Sequence, residues 1–161
     1  MTPSRSVGAI VVGGDYQGLG IVRSLGRHGI PVCVVDDEQS IARFSRYATH
    51  AVKTGSLRDP EQTVEVILDV ARSRALDGWV LYPTRDETVA AFSKHRAVLG
   101  ERLRVPTPEW STTRWVWDKR LTYQLAGTLD IPTPRTWYPR TPADLADIQA
   151  DTPLAVKPAI K

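Results

Sequence analysis

The feature that most constrains the fold is a short apolar segment that runs directly into a glycine-rich turn. Val7 to Val12 is a run of small and β-branched residues, typical of a buried parallel strand. Gly13-Gly-Asp-Tyr-Gln-Gly-Leu-Gly20 follows, and then Leu19, Val22 and Leu25 recur at helical spacing. Val32 to Val35 is the next apolar segment. The pattern predicts a strand, a helix and a parallel strand joined by a right-handed crossover, with a left-handed helix cap at Gly29.

The same alternation continues to about residue 105. We predict a third strand at residues 51–54, a helix that starts at Asp59-Pro60, and a fourth strand at residues 79–82. A further helix is predicted from Glu87 to Leu99, and a short fifth strand at residues 103–105. Strands alternating with helices over short connections indicate an α/β fold, a Rossmann-like three-layer domain with a parallel sheet.

The glycine-rich turn raises the question of a dinucleotide site. Counting from Gly13, the dinucleotide fingerprint places glycines two and five positions later, and only Gly18 fits, since residue 15 is an aspartate. A carboxylate there would repel a pyrophosphate. Two interpretations stay open: the glycines permit a tight turn and close packing, or Gly14, Asp15 and Gly18 contact an acceptor substrate at the carboxyl edge of the sheet.

A second candidate site follows the fourth predicted strand, at Thr84-Arg-Asp-Glu87. Its position at the same sheet edge makes Asp86 and Glu87 candidate substrate-binding residues. The alternative is that one of them caps the next helix, where a carboxylate is favourable for electrostatic reasons alone.

After Pro106-Thr-Pro-Glu109, which is typical of a linker, the pattern changes. Val116, Leu121, Leu125 and Leu129 predict one amphipathic helix, with N-cap oxygens offered by residues 111–113 and Lys119 in its first turns. Pro132 and Pro134 end it, and we expect a strand at residues 135–138, a helix near residues 142–149, and a buried strand at residues 154–156 that carries Lys157.

These residues resemble the start of an ATP-grasp domain, the nucleotide-binding unit of carboxylate–amine ligases and carbamoyl-phosphate-synthase-like enzymes. The resemblance rests on four short motifs, with the Rossmann-like half before them: Asp118-Lys119 opening a helix, Leu125-Ala126, Ile131-Pro-Thr-Pro134 and Val156-Lys-Pro158. It implies a pre-ATP-grasp domain at residues 1–108 and an incomplete ATP-grasp domain at residues 109–161. Lys119 and Lys157 would then contact the phosphates of ATP.

By the same resemblance, the intact protein would use ATP and Mg²⁺ to convert a carboxylate into an acyl phosphate, which an amine then attacks. We expect the chain alone to be inactive, because the glycine-rich loop and the metal-binding segments of such enzymes fall outside 161 residues. A rival hypothesis is a non-catalytic Rossmann-like module for ligand binding or scaffolding. The nicotinamide dehydrogenase is the third hypothesis.

Composition narrows the class of partner. The net charge of +3 is spread evenly along the sequence, so neither nucleic acid nor a membrane is an expected partner. The single cysteine, Cys33, excludes an internal disulfide, and the first residues lack the apolar core of a signal peptide, which favours the cytoplasm. The histidines and Cys33 show no metal-ligand spacing. We expect small-molecule substrates, and the sequence also admits a homodimer.

Overall fold

The computed structural model describes residues 7–150 and 152–157 of the chain. They divide into two compact units, of which the first ends at Thr113 and the second begins at Arg114. The predicted boundary between residues 108 and 109 lies shortly before this division and stays a prediction. None of the helices in the described residues combines the length and apolarity that a membrane span requires.

The first unit holds a four-stranded parallel sheet. Its strands are β1 (Ala9–Val12), β2 (Val32–Asp36), β3 (His50–Lys53) and β4 (Val80–Pro83), in the order β3-β2-β1-β4. Val12 lies opposite both Val35 and Pro83, so β1 is paired along both of its sides. The predicted fifth strand is reduced to one parallel bridge between Val80 and Arg104.

Helices cover both faces of the sheet. The helices of this unit are α1 (Tyr16–Arg27), α2 (Pro60–Ser73), α3 (Asp86–Lys94) and α4 (Arg96–Gly100), with a 3₁₀ turn at Ile41–Phe44. The single helix predicted from Glu87 to Leu99 is therefore wrong. His95 has φ −106° and ψ 24°, outside helical geometry, and separates α3 from α4.

The core consists of two layers, because side chains of a strand alternate between the two faces of its sheet. Ile10 and Val12 face one layer, where α2 and α3 pack, with Ile67 and Phe92 fully buried. Val11 faces the other layer, which contains α1 and the 3₁₀ turn. The predicted α/β three-layer fold is confirmed, and Gly29 has the predicted left-handed backbone at φ 72°.

A helix break at Asp118 corrects one prediction for the second half. Residues 110–128 form two helices, α5 (Trp110–Trp117) and α6 (Lys119–Thr128), rather than one. Asp118 is extended, at φ −96° and ψ 111°, and its carboxylate accepts a hydrogen bond from the backbone N–H of Arg120 (2.9 Å). Aspartate favours such an N-cap over a helix interior. Residues 111–113 consequently lie inside α5 and do not cap it.

Two strands predicted for the second half are also absent from the described residues. Residues 131–140 and 153–157 are irregular, and only α7 (Pro142–Ala146) forms between them. Val156 is 96% exposed, so the expectation of a buried strand there was wrong. The physical reason is that an isolated strand has neither a ladder partner nor a covering layer in the described part of this unit.

Candidate functional site

The candidate site lies at the carboxyl edge of the sheet, where β1 meets α1. Gly13 ends β1 with φ 93°, a conformation that side chains disfavour, and its N–H donates to Val35 O (2.9 Å). A Cβ on Gly13 would lie 2.2 Å from Thr84 Oγ1, which follows β4. The turn therefore requires glycine for two reasons, its backbone angle and the closeness of the neighbouring loop.

Gly14 and Gly18 are required by close packing. A Cβ on Gly14 would lie 2.0 Å from Ser40 Oγ, and one on Gly18 would lie 2.2 Å from the carbonyl oxygen of Gly13. The predicted close packing of these glycines is confirmed. Ser40 Oγ is buried and has no hydrogen-bond partner among the described residues, while the N–H of Ala42 donates to Gly14 O (2.9 Å) and ties the 3₁₀ turn to the loop.

Arg85 connects the loops that follow β2 and β4 across the end of β1. Its guanidinium donates to Asp36 Oδ1 (2.9 Å) and to Asp37 Oδ1 (2.7 Å), and it lies 3.8 Å from Asp15 Oδ2. Asp36 is fully buried and accepts a further hydrogen bond at Oδ2 from the N–H of Gly14 (2.6 Å). One cation thus holds two carboxylates, and the more deeply buried carboxylate in turn holds the glycine loop.

The electrostatics of this cluster favour the charged forms of Asp37 and Arg85. Burial raises the pKa of Asp37, but hydrogen bonds from Arg85 and from the N–H of Leu57 outweigh burial and leave the pKa below its usual value. Burial likewise lowers the pKa of Arg85, and its carboxylate partners more than reverse that effect. Three carboxylates and one guanidinium leave a net negative charge at the edge of the sheet.

This arrangement is unsuited to a pyrophosphate at the glycine loop. A dinucleotide site needs free backbone N–H groups and a positive helix terminus facing the phosphates. Here the Gly14 N–H is bonded to the Asp36 carboxylate, and Asp15 occupies the N-cap of α1 without making a capping hydrogen bond. The structure therefore weighs against the dinucleotide hypothesis for the same reason that the sequence does.

The predicted acceptor residues lie at one edge of the sheet. Asp15 is half-exposed, and Asp86 and Glu87 begin α3 immediately after β4, which pairs with β1. The N-cap of α3 is Arg85 rather than either carboxylate, and the Arg85 N–H donates to Thr88 Oγ1 (3.3 Å). The contact of Gly14, Asp15, Gly18, Asp86 and Glu87 with a substrate, within one cleft, stays a prediction.

The sequence analysis missed the members that organise this edge. Arg85 was noted only within the segment after the fourth strand, and neither Asp36 nor Asp37 was singled out as a site residue. A usable signal was present, because Asp36 ends β2, Asp37 follows it and Arg85 follows β4, and these two strand ends lie at one sheet edge. What the sequence could not supply was the pairing across the intervening β1.

The two lysines both belong to the second unit. Lys119 is the first residue of α6 and is exposed, so its ammonium group is carried at a helix N-terminus. Asp118, one residue earlier, is paired with the Arg120 guanidinium (2.6 Å), and hydrogen bonds from Arg120 hold the pKa of that carboxyl below its usual value. Lys157 is exposed in an irregular segment. Their convergence on a common groove stays a prediction.

The magnesium that the resemblance implies would need a cluster of oxygen ligands, carboxylates above all. Within residues 7–150 and 152–157, no group of three or more histidine, cysteine, aspartate or glutamate side chains is placed to hold a metal ion. The carboxylates at the sheet edge are bonded to Arg85 instead. The described residues therefore do not fit a magnesium site.

Comparison of the sequence with protein-family models gives no match, and neither does comparison with curated proteins. Solved structures do match. An L-amino acid ligase from Bacillus licheniformis has a TM-score of 0.71 at 17% identity, over 98% of this chain and 39% of that one. The biotin carboxylase domain of a single-chain bacterial carboxylase has a TM-score of 0.60 at 21% identity, over 88% of this chain and 33% of that one.

Both neighbours share the fold of this chain, so the α/β fold that the resemblance implies is confirmed. The chain spans between a third and two fifths of the length of each neighbour. The part that is matched includes the Rossmann-like sheet with its glycine loop.

Proposed function

We propose that the chain is the N-terminal part of an ATP-dependent carboxylate–amine ligase of the ATP-grasp type. The observation that carries the proposal is the match with the L-amino acid ligase, which extends over 98% of the chain. A Rossmann fold alone hosts many activities. Here the match continues past the sheet into the region of Lys119 and Lys157, where the motifs of the resemblance lie.

In the proposed reaction, a carboxylate oxygen attacks the γ-phosphorus of ATP, ADP leaves, and an acyl phosphate forms. The nitrogen of an amine then attacks the acyl carbon and phosphate leaves. Lys119 and Lys157 would contact the phosphates and stabilise the negative charge that develops on them. The helix position of Lys119 supports this role, since the N-terminus of α6 adds its own partial positive charge.

The carboxyl edge of the sheet would form part of the acceptor site. Asp15, Asp86 and Glu87 would present carboxylates there, and Gly14 and Gly18 would belong to the same site through the tight turn that they permit. The hydrogen bonds from the Gly14 N–H to Asp36 and from Arg85 to Asp36 support the role by fixing the loop. The acceptor carboxylate and amine are small molecules in this proposal.

We further propose that residues 1–161 do not turn over substrate without the remainder of a longer protein, which would supply the magnesium ligands. A pre-ATP-grasp domain at residues 1–108, a cytoplasmic location and a homodimer belong to the same proposal. Neither nucleic acid nor a membrane is a partner in it. The even distribution of charge along the sequence supports that last point.

The test measures ATP-dependent ligation and ATP binding in the longer protein, with Lys119→Ala and Lys157→Ala as separate variants. Each loss of a charged contact is expected to lower ATP binding or turnover by about ten-fold to a thousand-fold. Lys53→Ala is the matched control, because Lys53 is an exposed lysine on β3. If both variants retain full activity, the phosphate role of the lysines is refuted. If the wild-type protein does not bind ATP, the non-catalytic module becomes the better description.

A further inference from the structure

The fold places a group of arginines on one side of the sheet of the first unit and three acidic residues of α2 on the other side. No acidic residue occurs between Tyr16 and Val35 or between Gln39 and Arg58. These stretches form α1, the 3₁₀ turn and β3, whose exposed side carries a set of arginines that we call the basic face: Arg23, Arg27 and Arg46.

Two members of the basic face, Arg27 and Arg46, lie beside one tyrosine. Tyr47 packs so closely on α1 that a Cβ at Gly26 would lie 2.5 Å from Tyr47 Cβ. Arg46 Nη2 donates to Tyr47 Oη (2.8 Å), and this bond, with a lesser effect of Arg27, lowers the pKa of the phenol below its usual value. Among the described residues, none of these arginines has an ion-pair partner.

The opposite face of the sheet carries the complementary charge. Glu61, Glu65 and Asp69 follow one another at four-residue intervals on α2 and are exposed, and we call them the acidic face. Like charges four residues apart on one helix face destabilise the helix. The same applies to Arg23 and Arg27 on α1. Each row of like charges is therefore unfavourable in the isolated unit. Asp69 is the exception, because it is paired with Arg72.

The two faces cannot satisfy each other within one molecule. The helix α1 packs on the layer of Val11 and Val34, and α2 packs on the layer of Ile10 and Val12. Strand side chains alternate between the two sides of the sheet, so the two helices lie on opposite sides.

Apolar groups accompany the charges on both faces. Ile41 and Phe44 are three residues apart in the 3₁₀ turn, where such side chains lie on one side, and Phe44 is 76% exposed. Ala42 of the same turn is buried in the core, which fixes the orientation of the turn. Beside the acidic face lies an open groove of about 590 Å³, whose apolar members are Leu68 and Val98. Its charged members are Arg72, Asp77, Glu101 and Arg102, and Arg102 is paired with Asp77, so the attraction for the basic face comes from Glu61 and Glu65 on α2 rather than from the groove.

We propose that a second copy of this chain docks its basic face on the acidic face of the first, with Phe44 seated against Leu68 and Val98. The association is head to tail, because two basic faces or two acidic faces repel each other. A head-to-tail contact uses different surfaces of the two copies and repeats unless it closes into a ring. This surface is independent of the carboxyl edge and of the proposed reaction.

The test is a charge exchange on the 161-residue chain, followed by sedimentation velocity from about 5 to 500 μM, a range suited to a weak contact. At low salt the wild-type mass should rise with concentration, and about 0.5 M salt should weaken the association about ten-fold. Arg23→Glu/Arg27→Glu should stay monomeric, and so should Glu65→Lys/Asp69→Lys. Mixed in equal amounts, the two variants should associate again, because each supplies the charge that the other has lost.

Two controls separate this pairing from its alternatives. Arg135→Glu/Arg140→Glu changes the net charge by the same amount in the second unit and should associate like the wild type. Phe44→Ser leaves the charge unchanged and should weaken association about ten-fold, while circular dichroism reports that each variant is folded. A wild-type chain that is monomeric throughout, a mixture that fails to associate, or an association abolished by nuclease would each overturn the proposal.

Discussion

Removing the guanidinium of Arg85 should destabilise the first unit by about 3–4 kcal/mol. Deleting one partner of a buried ion pair costs about 3–5 kcal/mol, because the other charge stays buried without compensation. Asp36 is fully buried but keeps hydrogen bonds from the N–H of Gly14 (2.6 Å) and the N–H of Glu38 (3.3 Å). The energetic cost of leaving Asp36 without Arg85 therefore lies at the lower end of that range. Asp37 loses a 2.7 Å bond as well and adds about 1 kcal/mol.

The assay is urea unfolding of Arg85→Met, followed by circular dichroism. With a slope of about 2 kcal/mol per molar urea, the expected loss lowers the midpoint by about 1.5–2 M. Arg72→Met is the matched control, since the Arg72–Asp69 pair is solvent-exposed and worth about 0–1 kcal/mol.

A double-mutant cycle isolates the charge itself. Asp36→Asn in the Arg85→Met background removes the uncompensated carboxylate. The loss of unfolding free energy in the double variant should therefore be about 2–3 kcal/mol smaller than the sum of the losses in the two single variants. A loss below 1 kcal/mol for Arg85→Met, or additive single losses, would refute the assignment of Arg85 as the compensating charge of the glycine loop.

Three further outcomes are expected. Gly18→Ala should lower the free energy of unfolding by about 1–3 kcal/mol in the same urea titration, because its Cβ would meet the backbone oxygen of Gly13 at 2.2 Å. Gly20→Ala is the control, since the space around Gly20 is open, and it should be neutral or stabilising. Because the pKa of Asp37 is lowered in the folded state, its stabilising effect is complete above the ordinary carboxyl pKa of about 4 and is lost as the pH falls through the folded value. The wild type should therefore lose stability relative to Asp37→Asn below about pH 4. Stability profiles of the two proteins that run parallel across this pH range would contradict the prediction. Burial raises the pKa of Cys33 to about 12, so a thiol reagent at about pH 8 should label it only after unfolding.

The sequence predicted the first unit well because local and long-range signals agree there. A buried apolar strand, a glycine turn and a helix at regular spacing leave few alternatives, and β1, α1 and β2 lie where the pattern put them. The Asp118-Lys119 motif correctly marked a helix start, while the apolar periodicity around it wrongly suggested a continuous helix. Local capping by Asp118 prevailed over periodicity.

The failures concern interactions that spacing does not encode. The segment at residues 154–156 has the composition of a buried strand, but burial depends on a neighbour, and the described residues supply none. Of the candidate site, the sheet edge and the glycine loop could be predicted from the order of strands. The pairing of Arg85 with Asp36 spans 49 residues and depends on the sheet order, so no local pattern reveals it.

The central position of β1 has a consequence for synthesis on the ribosome. The first strand to emerge is the one that needs two neighbours, and its second neighbour, β4, is completed only at Pro83. At about 5–20 residues per second, β1 is exposed along one side for several seconds. During that interval only β1, β2 and β3 can pair with one another, and the layer that contains Phe92 is not yet complete. We expect this interval to be when a nascent chain most needs a chaperone, and a pause in translation after β4 to be better tolerated than one before it.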